Sequence, residues 1–304
     1  MKPPQPPSKH HFIPQFYLRA WTGEDGRLER FSRPGPYEVE VEVKRVAPAA
    51  MGWERDLYRA PDPDLDPWRA QALEKSFFSP LDAAAAKCLQ RLNSGDLDGW
   101  SSTDRTAWAM FLMSLFHRTP EHLEATMAKL REIYDESSPA IEARYAELRA
   151  PTDPATFDEW ERKRDPRYLE KAAFRLLPST IDNQKVGEFI INVQWGVVDI
   201  TGSDHPLLIS DNPIIFRPLK LAMGHIGIPI SPYRLFLASE DVSLFQHLKR
   251  EGPKRVARVA NHVVVGNANR FVGAVDRRSQ TYIEKHYGAR RLGSLATGFR
   301  QPES

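Results

Sequence analysis

The chain has 304 residues, 41% hydrophobic, 10% aromatic and 27% charged, the balance of a folded globular protein, which excludes a disordered or fibrous one. Forty-two Lys and Arg against 40 Asp and Glu leave a formal charge of +2, so no basic field covers the whole surface and any anion site must be local. Cys88 is the one cysteine, which excludes an intrachain disulfide and the CxxC pairs of a zinc ribbon.

Residues 1–9 hold four prolines and two lysines and read as a flexible arm, so the ordered chain is expected to begin at His10. Phe12, Ile13, Phe16, Tyr17 and Leu18 recur at helical spacing, with Pro14 suited to a first turn, and predict a short buried helix over 12–21. A turn at Glu24, Asp25 and Gly26, then RLERFS and the strictly alternating YEVEVEV of residues 37–43, predicts a small antiparallel sheet. Apolar positions from Ala72 to Leu92 trace one helical face interrupted at Pro80, and SSTD at 101–104 offers caps ahead of Trp108, Phe111, Leu112 and Leu115. Pro120 is expected to break or kink that helix, and helical spacing returns over 123–134, 141–148 and 157–177. After Pro178 the runs FIINVQWGVVDI, PLLISDNPIIF, HIGIPISP and RLFLAS read as strands and turns. Helices near 242–249 and 253–265 and a late strand in RFVGAV close the order. The class is therefore α+β: a small N-terminal antiparallel β element, a helical middle and a second β region with terminal helices. One domain is expected over 10–290, with a C-terminal tail at 291–304. No apolar run approaches a membrane span, and the proline-rich start lacks a signal peptide's apolar core, which predicts a cytoplasmic protein without membrane contact.

Four clusters carry groups able to do chemistry. HHFIPQFYLR places His10 and His11 at the edge of an ordered element, where a neutral imidazole binds a metal or takes a proton; a histidine bonded to backbone at a cap is the plainer reading. HHFIP resembles the His-His-x-x-Pro element of HNH nucleases, although the later Asn and His of that element are not at matching spacing here. SDHPLLISDNPIIF presents Asp204, His205, Asp211 and Asn212, with Asn212 pushed out of the α region by Pro213. A carboxylate there orients a histidine or holds a divalent ion, whereas an Asx turn uses the same side chain on nearby N–H groups. In FLMSLFHRTP, His117 and Arg118 close an apolar helix, where the cation complements the helix dipole or, turned inward, clamps a carboxylate or phosphate. ANHVVVGNANRF brings Asn261, Asn267, Asn269 and Arg270 to a helix end; Asn267 and Asn269 suit caps and left-handed turns, while Asn261 lies inside an apolar run. Cys88 sits on an apolar helical face and reads as core. Residues 241–304 carry 12 Lys and Arg against 5 Asp and Glu, a basic segment able to meet a polyanion or simply to solvate helix faces. Gly-rich phosphate loops, GxSxG elbows, HExxH helices and kinase signatures are all missing.

Taken together, HHFIPQFYLRAW, FLMSLFHRTP, SDNP at 210–213 and NHVVVGNANRFVGA resemble the bacterial family known as domain of unknown function 4238. The resemblance implies no settled activity or ligand; it nominates His11 and Pro14, Arg118, Asp211 and Asn212, and Asn261 and Arg270 as a converging polar site. The lead expectation is a metal-assisted phosphodiester hydrolase of nuclease type, acting in bacterial defence on nucleic acid or a nucleotide. In it His11 is general base or metal ligand beside His10, and Asp211 orients it or holds Mg²⁺, Mn²⁺ or Zn²⁺. Arg118 stabilises developing phosphate charge, and Asn212, Asn261 and Arg270 bind substrate. The alternative is a non-catalytic regulatory module that recognises a ligand or partner protein, its polar residues hydrogen-bonding one another or the backbone. A third reading is architectural, with the N-terminal helix plugged into the late sheet by His11, Asp211 and Asn261.

Overall fold

The computed structural model describes residues 8–35, 40–165 and 167–289. Strand β1 (Lys9–His11) leads through extended chain to one helical turn, α1 (Gln15–Leu18), continued by a 3₁₀ turn at Arg19–Trp21. The helix is thus shorter than its apolar spacing predicts, because the Ile13 N–H is drawn to the Gly52 carbonyl (3.1 Å) and Pro14 is extended. Lys9 pairs with Arg55, so it belongs to the fold and not to an arm; residues 1–7 and the tail from 290 lie outside the described residues. Next come β2 (Leu28–Ser32), β3 (Glu42–Val46) and β4 (Trp53–Arg55). The strand expected over 37–43 is described only from Glu42 and runs on to Val46, while 36–39 fall outside the described residues.

A π-helical turn at Glu74–Phe78 feeds α2 (Ser79–Ser94), which buries Leu81, Ala85, Cys88, Leu89 and Leu92 on one stripe. Gly95, left-handed at φ 81°, ends it, and the Asp96 N–H returns to the Arg91 carbonyl (3.1 Å). Ser101 caps α3 (Ser102–Leu115) by accepting the Asp104 N–H. Thr119 does the same for α4 (Pro120–Leu148), in which Pro120 occupies the first position, where its missing N–H costs nothing. Pro120 therefore starts a helix, and the two periodic stretches after it are one continuous element. The helical middle continues through α5 (Phe157–Arg164), α6 (Tyr168–Ile181) and α7 (Gln184–Asn192). Phe189–Asn192 is thus helical where the run FIIN suggests strand; Asn183 caps α7 and Ile190 is buried, and a short apolar run alone does not distinguish the two.

The second β region comprises β5 (Gln194–Asp199), β6 (Ile209–Ser210), β7 (Ile215–Arg217), β8 (His225–Ser231) and β9 (Arg234–Ser239). It is followed by α8 (Ser243–Gly266), split at Gly252 (φ 76°), then β10 (Val272–Ala274) and α9 (Gln280–His286). The architecture is α+β, with all strand pairs antiparallel: β1–β4, the sheet β3–β2–β10–β6, and the sheet β5–β9–β8–β7. The N-terminal and C-terminal strands share one sheet, because β10 lies between β2 and β6.

The main core joins α1, α2, α3 and the inner face of β8 and β9 around Trp21, Trp108, Phe111 and Phe236. The N-terminal helix does plug into the late sheet, but through aromatic donors: Tyr17 Oη donates to the Pro229 carbonyl (2.6 Å) and Trp21 Nε1 to Leu207 (2.8 Å). Among the described residues no helix is long and apolar enough to cross a membrane.

Candidate functional site

Arg118 follows α3 in the short connection to α4, and its guanidinium is almost wholly buried, 1% exposed. It is turned inward, where its fork meets Asp82 in the first turn of α2: Nη1 to Oδ1 at 2.8 Å and Nη2 to Oδ2 at 3.1 Å. Nη2 also donates to the His11 carbonyl (3.1 Å), Tyr58 Oη donates to the Arg118 carbonyl (2.5 Å), and the guanidinium stacks 4.6 Å from the Phe78 ring centre. His10 is fully buried, its Nδ1 accepting the Tyr58 N–H (2.8 Å) with the two rings stacked. His11 bonds the Ala49 carbonyl, its Nε2 is buried without a partner, and burial, reinforced by the Lys9 charge, lowers its pKa to about 4. The imidazole is therefore neutral at pH 7. Beside this cluster Glu74 opens the π-helical turn with Oε2 buried and unpartnered; burial lifts its carboxyl to about 7, against the Arg118 charge and with that of Asp82.

A second cluster forms where the loop after α8 meets β6. Asp211 is fully buried, and its Oδ1 accepts the N–H groups of Asn269, Arg270 and Phe271, each at 3.1 Å. Burial raises its carboxyl to about 6 in spite of those three donors. The carboxylate thus closes the turn that launches β10 by holding N–H groups 58 to 60 residues away, where an Asx turn would use nearby ones. Arg270 extends from that turn to Glu121 in the first turn of α4 and to Glu54 of β4 (2.9 Å). Since Glu54 lies opposite His10 and Glu121 follows Arg118 by three residues, the two clusters form one belt across the N-terminal, middle and C-terminal parts of the chain.

Asn212 donates from Nδ2 to the Asn267 carbonyl (3.2 Å). Asn261 accepts the Leu208 N–H (2.8 Å) and donates to the Pro206 carbonyl (2.9 Å), so it is the polar clip between α8 and the chain entering β6. Pro14 sets the start of α1. His10, His11 and Asp211 do not gather, and no group of three or more His, Cys, Asp and Glu side chains among the described residues is placed to share a metal ion. His10 Nδ1 and both Asp211 oxygens already take N–H donors, so this donor set does not fit a divalent ion as it stands.

Asp82, Tyr58, Glu74, Glu54 and Glu121 complete the belt and escape sequence reasoning. Glu121 stands one residue beyond the motif FLMSLFHRTP, and Asp82 is the acid of the first turn of a helix otherwise read for its apolar face.

Residues 9–278 match the family described as protein of unknown function (DUF4238). The chain belongs to this family. The match takes in every nominated residue, from His10 to Arg270. No curated protein and no solved structure matches the chain.

Proposed function

We propose that the protein is a non-catalytic binding module, a regulatory component that recognises a ligand or partner. The observation that carries this reading is the commitment of the belt to the chain's own groups. The side chains of His10, Arg118, Asp211, Asn212 and Asn261 each bond to backbone or to an internal carboxylate. Such groups fix a scaffold; they leave no donor set open to a reacting phosphate.

The hydrolase remains the second reading, and one observation favours it: His11 is neutral with a free, buried Nε2, the state of a general base. A single set of measurements separates the two. Purified protein is incubated with DNA, RNA and cyclic nucleotides in Mg²⁺, Mn²⁺ or Zn²⁺, and its melting is followed with the same metals and with metabolite and peptide panels. A binding module melts higher with a ligand that it leaves intact, since a ligand of the native state stabilises it by mass action. Metal-dependent cleavage that disappears in His11→Ala would overturn the reading in favour of the hydrolase.

A further inference from the structure

Beyond Tyr58, the chain from Ala60 to Phe77 and helix α6 line an open cavity of about 350 Å³. Its walls are apolar: Tyr58, Leu73, Phe77, Phe174 and Pro178. Its mouth is cationic. Lys171 is held by two carboxylates, Asp62 and Asp165, both at 2.9 Å, and the three groups together carry one net negative charge. Arg69 and Arg175 also line it, are exposed, and form no ion pair among the described residues, although the Arg175 charge is felt at Asp165.

We infer that this cavity binds a small amphipathic carboxylate, its apolar body between Phe77 and Phe174 and its head group between Arg69 and Arg175. The inference rests on the binding reading above. Two features support it. The volume falls at the lower end of the range for small-molecule pockets, roughly 300–1,000 Å³, and the lining has their composition, apolar walls with few polar groups. With Arg69 and Arg175 added to the Lys171 cluster, the five charged groups keep one net positive charge, and two planar guanidiniums outside any ion pair among the described residues, in the lining of an apolar pocket, match a carboxylate better than a neutral or cationic head.

The test is calorimetric titration at pH 7.5 with octanoate, octanol and acetate as probes, on the full chain and two variants. Octanoate is expected to bind with one-to-one stoichiometry, octanol about tenfold more weakly, and acetate without measurable heat. Arg69→Gln/Arg175→Gln should weaken octanoate about tenfold and leave octanol unchanged. Ala72→Trp, at an exposed position on the rim, fills the slot and should abolish both. Unfolding midpoints within error of wild type show that the variants fold. Equal affinity for octanoate and octanol, octanoate binding that survives Ala72→Trp, or no binding would each overturn the inference. Partner or ligand binding indifferent to Ala72→Trp would sink the cavity assignment and leave the binding reading standing. Metal-dependent phosphodiester cleavage by the same preparation would remove that reading itself.

Discussion

Replacing Asp82 by Ala isolates the centre of the belt. The guanidinium it leaves behind is 1% exposed and keeps the His11 carbonyl, the Phe78 ring and, at 3.5 Å, the Ser114 hydroxyl. Breaking a buried ion pair on one side costs about 3–5 kcal/mol, and the two lost bonds, each charge-assisted, are worth about 1.5–3 kcal/mol apiece. Asp82 itself is 21% exposed, so water reaches the vacated site and the lower end, about 3 kcal/mol, is expected. Arg118→Met should cost less than that, because the carboxylate it strands can hydrate. Adding Asp82→Ala to Arg118→Met should then cost about 2 kcal/mol less than adding it to wild type. Urea unfolding followed by tryptophan fluorescence reads both terms, with Trp21 and Trp108 buried in the core. NMR supplies an independent check: the Asp82 charge helps to hold Glu74 near 7, so the Glu74 carboxyl should titrate lower in Asp82→Ala. A cost below about 1 kcal/mol with no coupling to Arg118 would refute the argument and reduce the pair to a screened surface contact.

Glu74 gives a signed pH dependence. Its carboxyl is raised from 4.5 to about 7, so the folded state disfavours the charged form and loses stability as pH rises from about 4.5 through 7. At 1.36 kcal/mol per pKa unit the bound is about 3 kcal/mol, and partial hydration brings the expectation to roughly 1–2 kcal/mol. Glu74→Gln should match wild type at pH 4.5 and exceed it at pH 8 by that amount in denaturant titrations; parallel profiles would count against it. Asp211→Ala strands the N–H groups of Asn269, Arg270 and Phe271 and should cost about 3–5 kcal/mol, whereas Asp211→Asn retains an acceptor and should cost less than half as much. Equal unfolding free energies for the two variants would show that those N–H groups find other partners. Asn261→Ala removes both clip bonds and should cost about 2–4 kcal/mol, read from the urea midpoint at unchanged slope.

How far the sequence carries depends on the range of the physics involved. Periodicity and caps are local, and the stripe of α2, the Ser101 cap and the break at Gly252 all follow from residues within a few positions of one another. The short helix α1 escapes because an acceptor at Gly52 competes for Ile13, and Phe189–Asn192 escapes because a few branched residues fit either period. For the site, sequence reasoning finds Arg118 together with the inward clamp that the structure adopts, and it finds Asp211 but offers a local Asx turn where the carboxylate holds N–H groups from a distant turn. What it lacks is the partner. Asp82 lies 36 residues before Arg118, and the N–H groups that Asp211 holds lie 58 to 60 residues beyond it. Nothing in composition or spacing couples positions so far apart.

The belt explains why polar motifs spread along the chain read as one site. A buried Arg or Asp carries a desolvation cost that only fixed partners offset, so each must be met by specific groups from another part of the chain. Arg118 is met by α2 and β1, Asp211 by the turn before β10, and Arg270 by β4 and α4. Those contacts gather polar groups from distant segments into one belt. The same chemistry that would stabilise a phosphoryl transition state here stabilises the junction of three chain segments. Chemistry directed at a ligand then has to be sought where cations are left over and apolar surface is open. That place is the mouth of the cavity beyond Tyr58, where Arg69 and Arg175 stand outside any ion pair among the described residues while Lys171 is held by Asp62 and Asp165. The belt contributes by rigidity: with its hydroxyl fixed on Arg118, its N–H on His10 and its ring packed on His10 and Phe78, Tyr58 anchors the chain that runs into the cavity lining at Ala60, so that edge does not have to be ordered when a ligand arrives.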